Sequence, residues 1–263
     1  MNAYLSRSLS CLLACAALGC DGFSPFDRDP GTPPPIGPGG DAGSDGASDG
    51  SGDAVPGEAT GRLCQLVDMR TPTVCASNID FTGVQVAQIG TSNETTAAAD
   101  GTFSLQGDPG DFLLLRVAGG SSEFATTIVR LTQGAARIED VAIPLLIAND
   151  ADAILANTDV PPVASRGQAV FWFSQDGGGG AAPRSDVQLT PVPSGASATY
   201  ETLDALTWTT SAGQTGVSGV AVALNVTSGS KSFGATYSAQ TLSFNQVPIE
   251  AGAWTFTTGL FAP

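Results

Sequence analysis

The chain has 263 residues, with 25 acidic and 10 basic side chains and a formal net charge of −15. It contains no histidine, which excludes Ser-His-Asp and Cys-His nucleophile systems and every metal site that needs an imidazole ligand. The acidic balance and the single lysine, Lys231, argue against binding to nucleic acid or to an anionic membrane surface.

The first nineteen residues have the organisation of a secretory signal peptide. The positive charge of Arg7 is followed by an apolar stretch over 9–18 and by the small residue Gly19. A basic start, a 7–15-residue apolar core and a small residue before the cleavage site define such a signal. The apolar stretch is too short for a transmembrane helix, which needs about 20 residues. We therefore predict that the protein is exported and that 1–19 is removed.

The cleavage region resembles the lipobox of bacterial lipoproteins in Ala17-Leu18-Gly19-Cys20. The resemblance implies cleavage before Cys20 and acyl chains such as palmitate on that residue, with no cofactor besides. A second match ends at Cys15 and leaves a shorter apolar core, so we favour Cys20; a soluble secreted protein is the alternative. Two or three acyl chains anchor a protein durably, because each buried methylene contributes ~0.8 kcal/mol. The expected location is the cell envelope, at the outer membrane or cell surface rather than the inner membrane.

The segment 20–61 changes abruptly in composition to proline, glycine, serine and aspartate. It has almost nothing apolar to bury, so the entropy of ordering it cannot be offset and we predict a disordered linker. Its root-mean-square span would be about 35 Å. The regularly spaced acids from Asp41 to Asp53 lack the apolar residue of a β-helix calcium repeat and the closing glutamate of an EF-hand. We therefore expect no metal site there.

Two cysteines remain for the folded part of the chain. Cys11, Cys15 and Cys20 belong to the signal peptide or the anchor, which leaves Cys64 and Cys75. An even pair in an oxidising compartment predicts a disulfide, with a stabilisation of about 2–3 kcal/mol for so short a loop. Free thiols are the alternative.

From 62 onward, short segments of alternating apolar residues are separated by glycine, asparagine, aspartate and proline, a pattern typical of an all-β sandwich. Strand candidates in the first half lie at 63–67, 84–89, 102–105, 112–117 and 126–131.

Three segments of this half resemble the landmarks of the carboxypeptidase regulatory-like domain, a transthyretin-like β-sandwich of seven strands. They are Gly83-Val84-Gln85-Val86, Ala99-Asp100-Gly101-Thr102-Phe103-Ser104-Leu105 and Pro109-Gly110-Asp111-Phe112-Leu113-Leu114. The resemblance implies one such sandwich over 62–143, with a non-catalytic role in stability, adhesion or interaction.

A helical connector is predicted at 144–165. Ile147, Ala151, Ile154 and Leu155 have helical spacing, Pro144 fits a first turn, and Pro161-Pro162 prevents continuation. We therefore expect a helix over about 145–157.

Strand candidates resume at 169–174, 187–190, 205–210, 217–226, 232–237, 241–247 and 253–258, which predicts a second β-sandwich over 166–263. Within it, 186–190 echoes 83–87 and indicates a second copy of the first sandwich, with one larger sandwich as the alternative. The predicted fold class is therefore all-β: tandem Ig-like or transthyretin-like β-sandwiches joined by a short helix and preceded by a disordered linker.

The candidate ligand-binding residues are the three tryptophans, Trp172, Trp208 and Trp254. Exposed rings could stack on sugars and make a carbohydrate-binding module, whereas buried rings would belong to the core. The pairs Asp150 with Asp152 and Glu139 with Asp140 are the candidates for a carbohydrate-active enzyme that uses two carboxylates.

No catalytic residue is assigned. The favoured function is that of a membrane-anchored envelope lipoprotein whose non-catalytic sandwiches bind an envelope protein or a polysaccharide, or serve a structural purpose.

Overall fold

The computed structural model describes residues 58–106, 112–119, 123–132, 138–176, 181–203 and 206–262. The predicted signal peptide, Cys20 and the linker up to 57 lie outside the described residues. In chain order the elements are β1 (Glu58–Gln65), β2 (Gln85–Gln88), β3 (Glu94–Thr96), β4 (Thr102–Gln106), β5 (Phe112–Ala118), β6 (Thr127–Thr132), β7 (Ile138–Leu145), α1 (Ala148–Ala156), β8 (Arg166–Asp176), β9 (Ala181–Pro183), β10 (Gln188–Leu189), β11 (Ser197–Glu201), β12 (Trp208–Thr209), β13 (Val220–Thr227), β14 (Gly229–Tyr237), β15 (Gln240–Ile249) and β16 (Trp254–Phe261).

The first half is a sandwich of seven strands. A three-stranded sheet of order β4-β1-β7 lies over four strands of order β3-β2-β5-β6, and their inward residues form one core. Strand β4 shows why these segments are strands: Phe103 and Leu105 are buried while Thr102 and Ser104 face outward. This alternation places the apolar side chains on one face of the sheet.

The second half is built in the same way. Strands β13, β8 and β16 lie side by side, and a sheet of order β10-β14-β15 covers them. Strand β13 is buried along nearly its whole length, because apolar residues cover both of its faces. A strand covered on both sides has a continuous apolar sequence, as Val220–Thr227 does.

The two halves share one continuous sheet. Strand β16 of the second half pairs in parallel with β8 and also with β6 of the first half, where Trp254 lies opposite Thr127 and Phe256 opposite Val129. The resulting ten-stranded sheet runs through both sandwiches. Phe256 and Val129 therefore point to the same side of the shared sheet, into the core of the first half, which the β4-β1-β7 sheet covers. The core of the second half lies on the other side, under the β10-β14-β15 sheet. The two covering sheets thus lie on opposite faces of the shared sheet.

The second half repeats the strand connectivity of the first. In the first half, β1 pairs in parallel with β7 and antiparallel with β4. In the second half, β8 likewise pairs in parallel with β16 and antiparallel with β13. Strand β2 of the first half and strand β10 of the second each open an antiparallel run, β2-β5-β6 and β10-β14-β15. The echoed segments fall on the equivalent strands β2 and β10, each preceded by a residue of positive φ, Gly83 at 81° and Asp186 at 64°.

The predicted all-β class, with sandwich halves joined by a short helix, is confirmed. In α1, Ala151 and Ile154 face the core and Asp150 lies in the first turn, where its charge complements the helix dipole. The helix ends at Ala156, with Asn157 as its C-cap, ahead of Pro161-Pro162.

Some boundaries differ from the prediction. Strand β1 begins at Glu58, within the predicted linker, because 58–62 pairs with β4. Pro144 stands in β7 and not in a first helical turn; β7 is an edge strand, where a missing N–H can be tolerated. Strands β3, β7, β9 and β11 were not predicted.

Candidate functional site

Cys64 and Cys75 form the predicted disulfide, with an S–S distance of 2.01 Å and a Cα–Cα distance of 5.2 Å. The bond closes a turn that we call the disulfide loop, residues 64–75. Its neck is a β-bridge between Leu66 and Cys75. Cys20, the predicted lipidation site, lies outside the described residues.

The disulfide loop contacts the second half of the molecule. The Trp172 indole Nε1 donates a hydrogen bond of 2.8 Å to the carbonyl oxygen of Met69 at the loop's tip, and Met69 is only 3% exposed. Arg70 Nη1 donates to the carbonyl oxygens of Thr202 and Leu203, at 3.2 Å each. Sequence reasoning missed these contacts, because nothing in the spacing of two cysteines indicates which distant segment their loop will touch.

An ion pair orients Arg70 toward that second half. Its Nη2 lies 2.7 Å from Asp68 Oδ2, and Nε donates to both oxygens of the same carboxylate. Burial opposes the charged form of Asp68, but the hydrogen bonds and positive charge of Arg70 outweigh it and hold the pKa of Asp68 below its ordinary value. The fork geometry leaves Nη1 directed at the two carbonyls.

The opposite side of the junction has its own polar contacts. Arg116 on β5 pairs with Glu250 at 3.0 Å, and Arg130 on β6 donates to the carbonyl oxygen of Asn245 on β15 at 3.1 Å. Both contacts are partly exposed. The junction between the halves is therefore held on both faces of the shared sheet.

All three tryptophans lie in the interior, with Trp172 5%, Trp208 1% and Trp254 2% exposed. Trp172 stacks on Phe256 with ring centroids 5.1 Å apart, and the three rings belong to the core that spans the junction. This corrects the candidate assignment of these residues to ligand binding. They present almost no face to solvent. Trp172 on β8 bonds to the disulfide loop at Met69, and Trp254 on β16 lines the cavity under α1.

A groove of about 610 Å³ crosses the outer side of the first half, between the β4-β1-β7 sheet and the disulfide loop. Its lining includes Arg62, Pro72, Phe103 and Val141 and is mainly apolar. None of the buried polar atoms that lack a partner within the described structure belongs to this groove. The groove thus has the volume of a small-molecule site, and its polar side chains are those of Arg62 and three threonines, Thr60, Thr73 and Thr102.

A smaller cavity of about 230 Å³ lies under α1, between the helix and the start of β8. Gln168, which lines it, is 3% exposed and its Oε1 has no hydrogen-bond partner. Asp152 stands at the same cavity. Arg166 lines the same cavity, and its Nη1 is likewise buried without a partner among the described residues. The cavity thus offers one donor and one acceptor to an ordered water molecule.

The candidate carboxylate pairs do not form a catalytic constellation on the described residues. Asp150 and Asp152 lie two positions apart on α1, so their side chains point in different directions around the helix. The side chains of Glu139 and Asp140 lie outside the described residues.

The carboxyl groups with displaced pKa values are all shifted downward. Hydrogen bonds from Thr82 lower the pKa of Asp80, those from Thr102 lower the pKa of Asp100, and those from Thr210 lower the pKa of Asp159, as Arg70 does for Asp68. A general acid in glycoside hydrolysis needs the opposite, a raised pKa. These carboxylates act as hydrogen-bond acceptors in turns.

The described residues contain no group of three or more cysteine, aspartate or glutamate side chains arranged to hold a metal ion. Within the same part of the chain, no helix has the length and apolar character needed to cross a bilayer.

No protein-family model matches the chain, and no curated protein matches it. Among solved structures, it is similar to a chain of a type II cohesin–X-dockerin complex from Acetivibrio cellulolyticus, at 14% identity and a TM-score of 0.26, over 34% of this chain and 56% of that one.

It is also similar to the minor pilin GBS52 of Streptococcus agalactiae, at 13% identity and a TM-score of 0.24 over 78% of this chain and 95% of that one. The chain is similar as well to the shaft pilin SpaA from Lactobacillus rhamnosus GG, at 10% identity and a TM-score of 0.25, over 80% of this chain and 98% of that one. TM-scores this low carry no argument about function.

Proposed function

We propose that this protein is a lipid-anchored component of the bacterial cell envelope whose two sandwiches form one non-catalytic, structural or binding unit. The observation that carries the proposal is the continuous sheet, in which β16 joins β8 to β6. A unit built in this way holds its outer surfaces in a fixed relation. That property suits a spacer or an interaction module that stands away from a membrane.

The non-catalytic part of the proposal is supported by the chemistry of the chain. The sequence has no histidine, the tryptophans are in the core, and the displaced carboxyl pKa values are lowered rather than raised. The partner is then a protein or a polysaccharide of the envelope, bound on the outer surface of the sandwiches.

The proposed kinship of the first half with the carboxypeptidase regulatory-like domain is supported by its seven strands, divided three and four. The Asp100-Gly101 landmark supports it too: Asp100 Oδ1 accepts from the Thr102 backbone N–H at 3.0 Å, and Gly101 has a φ of 85°. The turn thereby directs Phe103 and Leu105 into the core.

The membrane anchor is tested by metabolic labelling with palmitate in a Gram-negative host. We expect wild-type protein and the Cys15→Ser variant to incorporate label and to sediment with membranes, whereas Cys20→Ser does neither. Equal labelling of Cys20→Ser and wild type would contradict the assignment of Cys20.

The location and partner are tested on the same cells. Protease added to intact cells should remove the protein if it faces the medium, and chemical cross-linking followed by mass spectrometry should then identify the neighbouring envelope component. Hydrolysis of a glycan by the purified protein would contradict the non-catalytic assignment.

A further inference from the structure

We propose that the disulfide loop is a redox-sensitive brace. It fixes the second half against the first while Cys64–Cys75 is oxidised, and it detaches from the second half when the bond is reduced. This inference goes beyond the proposed function and does not depend on the lipid anchor. It rests on where the loop's tip lies.

The loop belongs to the first half by sequence but its tip is bound by the second half. Met69 is buried and its carbonyl oxygen accepts the Trp172 indole hydrogen. Arg70 reaches the carbonyl oxygens of Thr202 and Leu203, 132 and 133 positions away. The loop therefore spans the junction from outside the shared sheet.

Apart from the apolar core that the two halves share, few backbone and polar contacts hold the junction together. The direct strand pairing between the halves covers three residue pairs of β6 and β16, from Trp254 with Thr127 to Phe256 with Val129. The polar contacts on the far face, Arg116 with Glu250 and Arg130 with Asn245, are partly exposed. Exposed contacts of this kind contribute little to stability, so much of the rigidity of the junction depends on the near face, where the disulfide loop lies.

The loop is constrained at its ends by the disulfide and by the β-bridge at its neck, where the Ala76 N–H donates to the Gln65 carbonyl oxygen at 2.8 Å. Its internal backbone bonds are short-range turns, Thr71 to Asp68 and Val74 to Thr71, with a longer one of 3.3 Å from Val67 to Val74. Cross-linking the ends removes most of the freedom that the loop would otherwise have. Without the bond, keeping Met69 and Arg70 in place costs the additional conformational entropy of the open loop.

The chemical step is thiol–disulfide exchange with a dithiol. One thiolate attacks the bond and forms a mixed disulfide, and the second thiolate then displaces the remaining protein sulfur. The Cys64–Cys75 bond breaks and gains two electrons and two protons, while the dithiol is oxidised to its own disulfide. Val67 and Val74 on the loop are largely exposed, so the loop lies at the protein surface.

Limited trypsinolysis of the full-length protein tests the brace, because Arg70 sits at the loop's tip. We expect cleavage after Arg70 to become at least tenfold faster in Cys64→Ser/Cys75→Ser and in wild type treated with dithiothreitol. Cleavage after Lys231, on β14 of the second half, serves as the internal control and should change by less than twofold. Amide exchange at 127–129 and 254–256 should rise under the same conditions.

The variant Trp172→Phe separates the brace from the disulfide itself. It keeps the cross-link but removes the hydrogen bond to Met69, so we expect faster cleavage after Arg70 with the disulfide intact. If the double serine variant does not fold, dithiothreitol treatment of folded wild type gives the same comparison.

Two outcomes would overturn the inference. Unchanged cleavage and exchange after reduction would mean that the loop keeps its place without the bond. Equal acceleration at Arg70 and Lys231 would mean that the disulfide stabilises the whole fold and not the junction.

Discussion

At the scale of single residues, the surroundings of a side chain decide its role more than its type does. Trp172 and Trp208 are both buried in the same core, yet only Trp172 has a partner for its indole N–H, the carbonyl oxygen of Met69. The Nε1 of Trp208 is buried without a partner among the residues that the structure describes. A buried donor without a partner costs free energy, whereas a bonded one does not.

This difference predicts unequal costs for the same substitution. Trp172→Phe leaves the Met69 carbonyl without its donor, while Trp208→Phe removes an N–H that has no partner. We expect Trp172→Phe to lower the free energy of unfolding by about 1–3 kcal/mol more than Trp208→Phe does. Guanidinium denaturation measures both values. An equal or larger loss for Trp208→Phe would contradict the hydrogen-bond assignment.

Asp159 links the connector after α1 to strand β12. Its carboxylate accepts hydrogen bonds from the Thr210 backbone N–H at 2.9 Å and hydroxyl at 2.8 Å, and from the Thr209 hydroxyl at 3.0 Å. These bonds lower the pKa of Asp159. The stabilisation is therefore fully present above the unfolded pKa, near 3.9, and is lost as the pH falls through the lower folded value.

Asp159→Asn is accordingly expected to lower Tm at pH 7 by about 1–3 °C. The gap from wild type should shrink as the pH falls from about 4, where the unfolded carboxyl group becomes protonated, and should vanish below the lower folded pKa. Scanning calorimetry between pH 7 and pH 2.5 measures the gap. Glu94→Gln, on the exposed edge strand β3, should leave Tm unchanged; a constant gap for Asp159→Asn would count against a charge effect.

At the scale of elements, close approach of backbones fixes several strands. Gly61 on β1 faces Phe103 and lies so near β7 that an added Cβ would be 2.2 Å from the carbonyl oxygen of Val141. No side chain fits there unless β1 and β7 separate. The glycine is thus a requirement of the parallel β1–β7 pairing.

Gly61→Ala should therefore destabilise the protein by about 2–3 kcal/mol, the range for overpacking. Gly119→Ala is the matched control, since its added Cβ would meet Phe124 at an ordinary 3.6 Å and should cost little. Urea denaturation of both variants measures the difference. A small effect at Gly61 would show that the two strands can move apart at low cost.

At the scale of the whole molecule, the shared sheet makes the two sandwiches depend on each other. One face of β8 and β16, with Val170, Trp172, Trp254 and Phe256, packs into the same core as the first half. The opposite face of β8, with Phe171 and Phe173, packs into the second core. Neither half can be removed without exposing large apolar side chains.

We therefore expect the protein to unfold in one cooperative transition, with equal calorimetric and van't Hoff enthalpies. A separate 166–263 fragment should expose the tryptophan-bearing face, bind an apolar dye such as ANS and lack a sharp thermal transition. Two resolved transitions in the intact chain, or a stably folded fragment, would contradict this dependence.

Sequence alone determined the local features of this protein. Alternating apolar residues predicted most strands, because alternation follows from the geometry of a single strand in any fold. The turn at Asp100-Gly101, the helix around Ile154 and the pairing of Cys64 with Cys75 were likewise predictable, since each depends on nearby residues or on counting. The same reasoning missed β3, β7, β9 and β11. Strands β3 and β9 have only three residues each, and Pro144 in β7 was taken for the first turn of a helix.

Only the tertiary structure decided how these parts meet. The sequence does not show that β16 pairs with β6, that Trp172 binds Met69 or that the tryptophans are interior, because each depends on residues more than a hundred positions apart. Strand pairing uses backbone groups that every residue carries, so the sequence of an edge strand does not indicate which strand it pairs with. The union of two sandwiches into one sheet was therefore decided by the packing of the whole chain.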